Sequence, residues 1–390
     1  YAKAGNIEVL SRCADEVTTE LILQQLGLRA LLEVFLPKQL QFQSVVPATF
    51  LFYSDSSGSS VSEELLTNLQ QQKKSDANSS EPEVRALTNF YFTDQDSFSS
   101  FYIWEEVSRD RGGLKLTPSY LHHVLTNRTP ALPRWFIDGM MELYRTVAII
   151  TPPLSPMVAP FTQPGRSASK ESHLLPFASR PDISPIRFGR AIWVSQEITD
   201  YFKKHSTSLP ELLPLEALFS EQSRNITLEE SAVRRAQSAL FIRSMLEGKE
   251  SHRQALWKFV EQSSITLPSE TLFRDCFGTS YRIVEEELAT YFHRALRSPF
   301  TLAAPTDRDF VQIQIHTASK AEISRIQGGF NRLEINYVRK ISPQLTPEYI
   351  EQARRVLRKS YDLGDRDPRL LAELGLCEYD AGNDNEAKHF

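Results

Sequence analysis

Two small groups of residues in this sequence have the types and spacing to do chemistry: a histidine pair and a carboxylate pair. His122 and His123 are adjacent in one predicted helix, and Asp138 and Glu142 are four residues apart in the next. Neighbouring positions on a helix point about 100° apart, so both histidines cannot face one cleft, and one of them is expected to pack or to cap. Asp138 and Glu142 share a helix face, where they could bind a cation but are expected to be solvated or paired with an arginine.

The two helices that carry these residues have recognisable boundaries. Thr117 is a suitable N-cap residue, and Pro118 follows at the first helical position, where its missing N–H costs nothing. This helix is predicted to end before Pro130. Pro133 opens the second helix, whose Trp135 is expected to lie in the core rather than to bind a ligand.

The residues before these helices predict a small mixed sheet with a helix packed on it. Apolar and β-branched runs predict strands at residues 7–10, 45–53, 87–92 and 101–104. Apolar residues recur at helical spacing over residues 15–35 and predict a long amphipathic helix. Residues 54–81 are rich in Ser, Gln, Asn and Lys and predict a solvated excursion, with a short helix at 63–71.

The second half of the chain predicts mainly helices. Residues 151–187 contain eight prolines, which argues against regular structure and predicts a loop across the face above the His122 helix. Residues 188–297 show consecutive apolar patterns at helical spacing. Residues 311–316 alternate apolar and polar side chains and predict a strand, with an edge strand as one alternative.

The C-terminal residues predict a helical hairpin. Leu374-Gly375, Gly382 and Ala387 fall at the offsets where a tetratricopeptide repeat places its small helix-contact residues. A generic helical hairpin is the alternative. Because such repeats bury their faces only by stacking, further repeats are expected beyond Phe390.

These patterns together predict an α+β fold. It comprises a small mixed β-sheet with packed helices, a mostly helical second half and a C-terminal tetratricopeptide-like hairpin. The predicted divisions are an N-terminal α+β part at 1–148, a Pro-rich loop or linker at 149–187, a helical part with a terminal strand at 188–318, and an incomplete repeat-like region at 319–390.

Composition excludes several classes of protein. A hydrophobic fraction of 41% and a charged fraction of 24% are typical of a globular chain that buries its own core. Lys and Arg number 44 against 49 Asp and Glu, so the net charge of -5 gives no support for nucleic-acid binding. The three cysteines are odd in number and widely spaced, which implies no disulfide framework. No apolar run has the length that predicts a membrane span.

The block LPRWFIDGMMELY at residues 132–144 resembles the P-x-W-x-x-E-G-x-A-x-Y signature of the peptidase MA-like domains. These are bacterial gluzincin-type metallopeptidases, often joined to tetratricopeptide arrays. The predicted helix at 117–127 then stands in the place of the family's H-E-x-x-H helix. Residues 273–291 resemble the family's C-terminal helical subdomain with its F-x-x-x-F-G motif, so the resemblance covers roughly residues 5–297.

The resemblance implies a zinc site that this sequence does not reproduce. The family holds Zn²⁺ with two histidines four residues apart and a carboxylate from the next helix, and a glutamate beside the first histidine serves as base. If His122 matches the second histidine, then Pro118 and Ser119 replace the first histidine and the glutamate, and Asp138 replaces the third ligand.

A second register is possible from the sequence. If His122 matches the first histidine instead, His123 replaces the glutamate and Thr126 replaces the second histidine. The first register is preferred, because Tyr-Leu-His-His-Val-Leu then falls on a similar aromatic-aliphatic-His run of the family. Pro118 also explains why the helix begins late.

The sequence therefore predicts a vestigial cleft that binds no metal or other cofactor and has no catalytic residue. Its residues are Pro118, Ser119, His122, His123, Asp138 and Glu142. Pro118 offers no donor atom, Ser119 is a poor donor at neutral pH, and the two remaining ligands make a zinc site of low affinity.

Two functions follow as expectations. The first is a catalytically degenerate metallopeptidase-like protein that binds a protein partner through its repeat-like region. The alternative is a metal-dependent peptidase or other hydrolase with an altered ligand set around His122, Asp138 and Glu142. The sequence begins at Tyr1 with no signal peptide, and the resemblance implies an extracytoplasmic location, periplasmic or secreted, because such families are commonly exported.

Overall fold

A computed structural model describes the chain over most of its length. The described residues are 1–40, 46–54, 87–94, 97–104, 118–128, 130–144, 146–149, 173–174, 178–179, 186–188, 212–220, 228–302, 310–311 and 313–390. The predicted helix at 63–71 lies outside these residues, as does most of the Pro-rich segment.

The main sheet has seven strands in the described residues. They are β1 (Ala2–Ala4), β2 (Ile7–Ser11), β3 (Ala48–Ser54), β4 (Leu87–Thr93), β5 (Phe98–Trp104), β7 (His173–Leu174) and β12 (Ile313–Ile315). Their order is β4-β5-β3-β2-β1-β12-β7. Strands β2, β3 and β5 are parallel to one another, and the other pairings are antiparallel. The sheet is therefore mixed, as the sequence predicts.

The helices lie mainly after the sheet's first five strands. They are α1 (Asp15–Phe35), α2 (Pro118–Thr126), α3 (Arg134–Tyr144), α4 (Leu215–Phe219), α5 (Leu228–Glu247), α6 (Glu250–Ser263), α7 (Glu270–Phe277), α8 (Tyr281–Arg297), α9 (Lys320–Ile341), α10 (Thr346–Asp362), α11 (Pro368–Asp380) and α12 (Asp384–Ala387). Short strands β6 (Val147–Ile149), β8 (Ala178–Ser179), β9 (Ile186–Phe188), β10 (Phe300–Leu302) and β11 (Phe310–Val311) form two small sheets, β10-β9-β6 and β11-β8. The α+β class and the helical second half are confirmed.

Both faces of the main sheet are buried, and successive strand residues alternate between two apolar clusters. The first cluster takes Ile7, Val9, Phe50, Phe52, Phe98 and Tyr102 and continues into α1, α2, α3 and α5. The second takes Leu10, Leu51, Tyr53 and Phe101 together with Ile326, Phe330 and Leu333 of α9. The candidate-site helices thus cover one face of the sheet, and α9 covers the other.

Helices α9, α10 and α11 pack in alternating directions. The Ser360 hydroxyl near the end of α10 donates to the Ala321 carbonyl at the start of α9, over 2.8 Å. The Cys377 thiol near the end of α11 lies 3.6 Å from the Ile350 carbonyl at the start of α10. Helix α10 is therefore antiparallel to both of its neighbours. The residues of the predicted C-terminal hairpin fall in α11 and in the short helix α12 that follows it.

The residues that the sequence singles out in this hairpin each have a structural role. Leu374 is fully buried. A Cβ atom at Gly375 would lie 3.2 Å from the Ala387 carbonyl oxygen in α12. Gly382 has a φ of 77° in the turn between α11 and α12, a left-handed conformation that favours glycine.

Two predictions about strands are wrong. The segment 151–187 contains regular structure after all, because β7 pairs with β12 in the main sheet and β9, which begins within it, pairs with β6 and β10. Strands of two or three residues fit between the prolines without losing a required N–H donor. The alternative of an edge strand at 311–316 also fails, because β12 lies between β1 and β7.

No helix in the described part of the chain combines the length and hydropathy that a membrane crossing requires.

Candidate functional site

The two histidines of α2 point in different directions. His122 is exposed, whereas His123 is only 3 % exposed. The ring of His123 packs on that of Phe98 with 4.9 Å between centroids. The prediction that one histidine of the pair is packed is confirmed, and the packed residue is His123.

Burial and a hydrogen bond accepted by Nδ1 both favour the neutral form of His123. Its Nδ1 atom lies 2.9 Å from the Thr93 hydroxyl and 2.8 Å from the amide nitrogen of Asn127. Because an amide NH₂ group only donates, Nδ1 accepts this bond and carries no proton. Burial lowers the pKa of His123 to about 4. This side chain is therefore a structural element of α2 and not a titrating group near neutral pH.

Asp138 on α3 is half-buried and lies among cations. Its Oδ2 atom is 3.6 Å from Nε of Arg134, one helical turn earlier. Burial raises the pKa of Asp138, while the charges of Arg134, Arg235 and His122 act in the opposite direction. Asp138 and His122 are thus close enough to interact electrostatically. The pairing with an arginine that the sequence predicts for Asp138 is confirmed.

Glu142 is not solvated, although solvation is one of the two sequence-based expectations for this carboxylate. Its side chain is 8 % exposed. Most of the last turn of α3 is covered, since Leu143 and Tyr144 are also buried. Asp138 sits one turn earlier, where the helix is still open to solvent. Two carboxylates on one helix face therefore have different environments.

Pro118 and Ser119 form the first turn of α2, as the N-terminal signal predicts. Their side chains lie outside the described part of the structure. His122 stands one turn further along the same helix, toward Asp138 of α3.

Trp135 anchors α3 in the core, which confirms its predicted packing role. It is 6 % exposed and its ring contacts Phe219, Phe241 and Phe259 at centroid distances of 4.8, 5.8 and 5.8 Å. Its indole Nε1 is buried with no hydrogen-bond acceptor among the described residues. The tryptophan thus joins α3 to the helices that follow it.

The described residues do not fit the zinc site that the sequence resemblance implies. Among them, no three His, Cys, Asp or Glu side chains lie close enough together to hold a metal ion. His122 and Asp138 are two of the three ligands required, and the cations of Arg134 and Arg235 stand beside Asp138. The chemistry that this arrangement supports best is ion pairing and hydrogen bonding.

Arg235 of α5 is the site residue that sequence reasoning missed. It donates to the Ser231 hydroxyl over 2.9 Å and lowers the pKa of Asp138 by its charge. The partnership of Arg134 with Asp138 is local, at a spacing of four, and could be found in the sequence. Arg235 is remote in sequence, and only the packing of α5 on α3 brings it near.

A buried ionic cluster on the other face of the sheet was also missed. Glu8 of β2 is 1 % exposed and accepts hydrogen bonds from Arg325 of α9 at 2.7 and 3.0 Å. Arg369 of α11 donates to the same carboxylate at 2.7 and 3.2 Å. Asp365 and Asp367 also lie near the Arg325 guanidinium group, at 3.3 and 3.9 Å. This cluster ties α9 and α11 to the sheet.

Comparisons of the chain with protein-family models, with curated proteins and with solved structures gave no match.

Proposed function

We propose that this chain is a catalytically degenerate, metallopeptidase-like protein that acts in binding or assembly. The observation that carries the proposal is the environment of Asp138, the carboxylate at the position of the family's third zinc ligand. Arg134 pairs with it, and Arg235 adds a second positive charge. Guanidinium groups therefore occupy the electrostatic role that a metal ion would have there.

The physics of this arrangement opposes a divalent cation. The positive charges of Arg134 and Arg235 repel a doubly charged ion at Asp138, and solvent screens part of this repulsion because Arg134 is exposed. The remaining donors, His122 and Asp138, fall short of the three protein ligands of a catalytic zinc site. Binding without catalysis is the function that these side chains favour.

The binding role is proposed for the C-terminal helical region, α9–α12. Its helices stack in alternating directions, as repeat modules that bind proteins do. Leu376 and Tyr379 of α11 are 47 % and 68 % exposed, which leaves apolar surface for a protein partner. The extracytoplasmic location that the sequence resemblance implies belongs to the same proposal.

Metal binding by designed variants tests the degenerate-site proposal. The triple variant Pro118→His/Ser119→Glu/Asp138→Glu restores the family pattern, and adding Arg134→Gln removes the paired cation. We expect the unmodified chain to purify without stoichiometric zinc. The quadruple variant should bind zinc at least tenfold more tightly than the triple variant, as measured by competition with a chromogenic chelator.

His122→Ala in the quadruple variant is the matched control and should abolish binding. A folded quadruple variant, by circular dichroism, that binds no zinc would reject the register in which His122 is the second ligand. The alternative, a hydrolase with an altered ligand set, would be established by a different result. The unmodified chain would then contain stoichiometric zinc and hydrolyse peptides, and His122→Ala would lose both the zinc and the activity.

A further inference from the structure

One buried arginine connects α11 of the C-terminal region to the sheet. Arg332 of α9 is 5 % exposed. Its Nε atom donates to the Glu373 carboxylate of α11, and its Nη2 atom donates to the Asp94 carboxylate in the turn between β4 and β5. A single guanidinium group therefore bridges one carboxylate of α11 and one of the β4–β5 turn.

From Asp94 the contacts continue to α2. The other carboxylate oxygen of Asp94 accepts a bond from the Ser97 amide over 2.7 Å, which fixes the turn. The Asp94 backbone carbonyl accepts a bond of 3.0 Å from the side-chain amide of Asn127, the residue after α2. The same amide donates to His123 Nδ1 over 2.8 Å.

These contacts form an unbroken series from α11 to the helix that carries His122. Its members, in order, are Glu373, Arg332, Asp94, Asn127 and His123. Each link is a hydrogen bond, and two are also ion pairs with a buried guanidinium group. A buried charge that is left without a partner costs free energy. When it loses one partner, it is therefore expected to move toward another or to shift together with the remaining one. Bonds in such a network also polarise one another.

We propose that Arg332 couples the position of α11 to the hydrogen bonds that hold the last turn of α2. A displacement of α11 changes the Glu373 contact, and Arg332 passes the change to Asp94 and hence to Asn127. The coupling is a property of the chain itself and stands independently of the proposed function. If α9–α12 binds a partner, the same series connects that partner to the vestigial cleft.

A neighbouring ion pair supplies the matched control. Arg339 lies two turns further along α9 and pairs with Asp380 of α11 over 2.9 Å. This pair joins the same two helices, and in the described part of the chain neither residue contacts the β4–β5 turn. Loosening α11 at Asp380 therefore disturbs the helix pair without disturbing Asp94.

Hydrogen exchange of the full chain, followed by mass spectrometry, tests the coupling. The decisive variant is Glu373→Gln, because the substitution lies in α11 whereas the effect is measured in α2. We expect amide exchange in residues 121–128 to be at least threefold faster in Glu373→Gln and in Arg332→Met than in the unmodified chain. Asp380→Asn and Arg339→Met should leave it unchanged. Exchange in α8 serves as the internal reference for overall stability.

Two results would overturn the proposal. One is exchange in residues 121–128 of Glu373→Gln equal to that of Asp380→Asn. The other is an equal acceleration in α8, which would mean that the variant loosens the whole fold. If Arg332→Met fails to fold, Glu373→Gln alone decides. This variant should still fold, because its amide oxygen can accept a hydrogen bond from Arg332 although the negative charge is gone. A second readout is the side-chain ¹⁵N signal of His123, which should move in Glu373→Gln and not in Asp380→Asn.

Discussion

Gly139 of α3 lies directly against Ser238 of α5. A Cβ atom at position 139 would lie 2.8 Å from the backbone carbonyl carbon of Ser238 and 2.8 Å from Cδ1 of Ile242. The glycine in the block at 132–144 therefore serves close helix packing. The same contact brings α5, with Arg235, alongside Asp138.

Replacing Gly139 with alanine should destabilise the protein. The added methyl group would push α3 away from α5, and overpacking of this kind costs about 1–3 kcal/mol. Urea unfolding followed by tryptophan fluorescence measures the free energy of unfolding. A Gly139→Ala variant as stable as the unmodified chain would contradict a need for glycine at this contact between α3 and α5.

Two adjacent glycines of α9 should respond in opposite directions to alanine. A Cβ atom at Gly328 would lie 2.6 Å from Cγ of Leu357 in α10, whereas one at Gly329 would meet nothing within 4 Å. Gly329→Ala should stabilise the protein by about 0.5–1 kcal/mol, because alanine has the higher helix propensity. Gly328→Ala should destabilise it. Unfolding curves of equal sign for both variants would contradict the packing of α9 on α10.

Neutralising Glu8 should cost far more than breaking a surface ion pair. Burial alone would raise the pKa of Glu8, but the hydrogen bonds and charges of Arg325 and Arg369 hold it below its ordinary value. Glu8→Gln leaves the buried Arg325 with only its more distant partners, Asp365 and Asp367, and should destabilise the protein by about 3 kcal/mol. Glu270→Gln, which breaks the exposed bridge to Arg274, should change the stability by less than about 1 kcal/mol. Similar midpoints for the two variants in urea would refute the role of the cluster.

His123 should make the protein less stable in mild acid. The folded chain binds a proton on this ring only near pH 4, whereas the unfolded chain does so near pH 6.5. Between these values the unfolded state binds more protons, so stability is lost as the pH falls from 6.5 to 4. His123→Gln should remove this part of the slope in urea unfolding measured at several pH values. His122→Gln, on the exposed side of the same helix, should retain it.

Glu334 should have the opposite effect on the alkaline side. Burial raises the pKa of this α9 carboxyl to about 8, from an ordinary value of 4.5. Between these values the folded state holds a proton that the unfolded state releases, so stability falls as the pH rises from 4.5 to 8. Glu334→Gln should therefore stabilise the protein at pH 7.5 and have little effect at pH 4. Glu334→Gln with the same stability as the unmodified chain at pH 7.5 would contradict a buried, protonated Glu334.

The sequence by itself determined the elements whose signals are local. The N-cap and proline signals place α2 and α3 at nearly their observed bounds, and the apolar pattern places α1 at Asp15–Phe35. The different directions of His122 and His123 follow from helix geometry alone. The pairing of Arg134 with Asp138 likewise follows from their spacing of four.

The tertiary structure alone decided which distant residues meet. Arg235 reaches Asp138 only because Gly139 lets α5 approach α3. Glu8 looks like an ordinary polar residue in an alternating strand, yet it is buried because α9 covers that face of the sheet and supplies Arg325. Such contacts join residues that are far apart in the sequence, and a local sequence pattern therefore cannot predict them. The helices were therefore predictable, and the charges that surround the candidate site were set by packing.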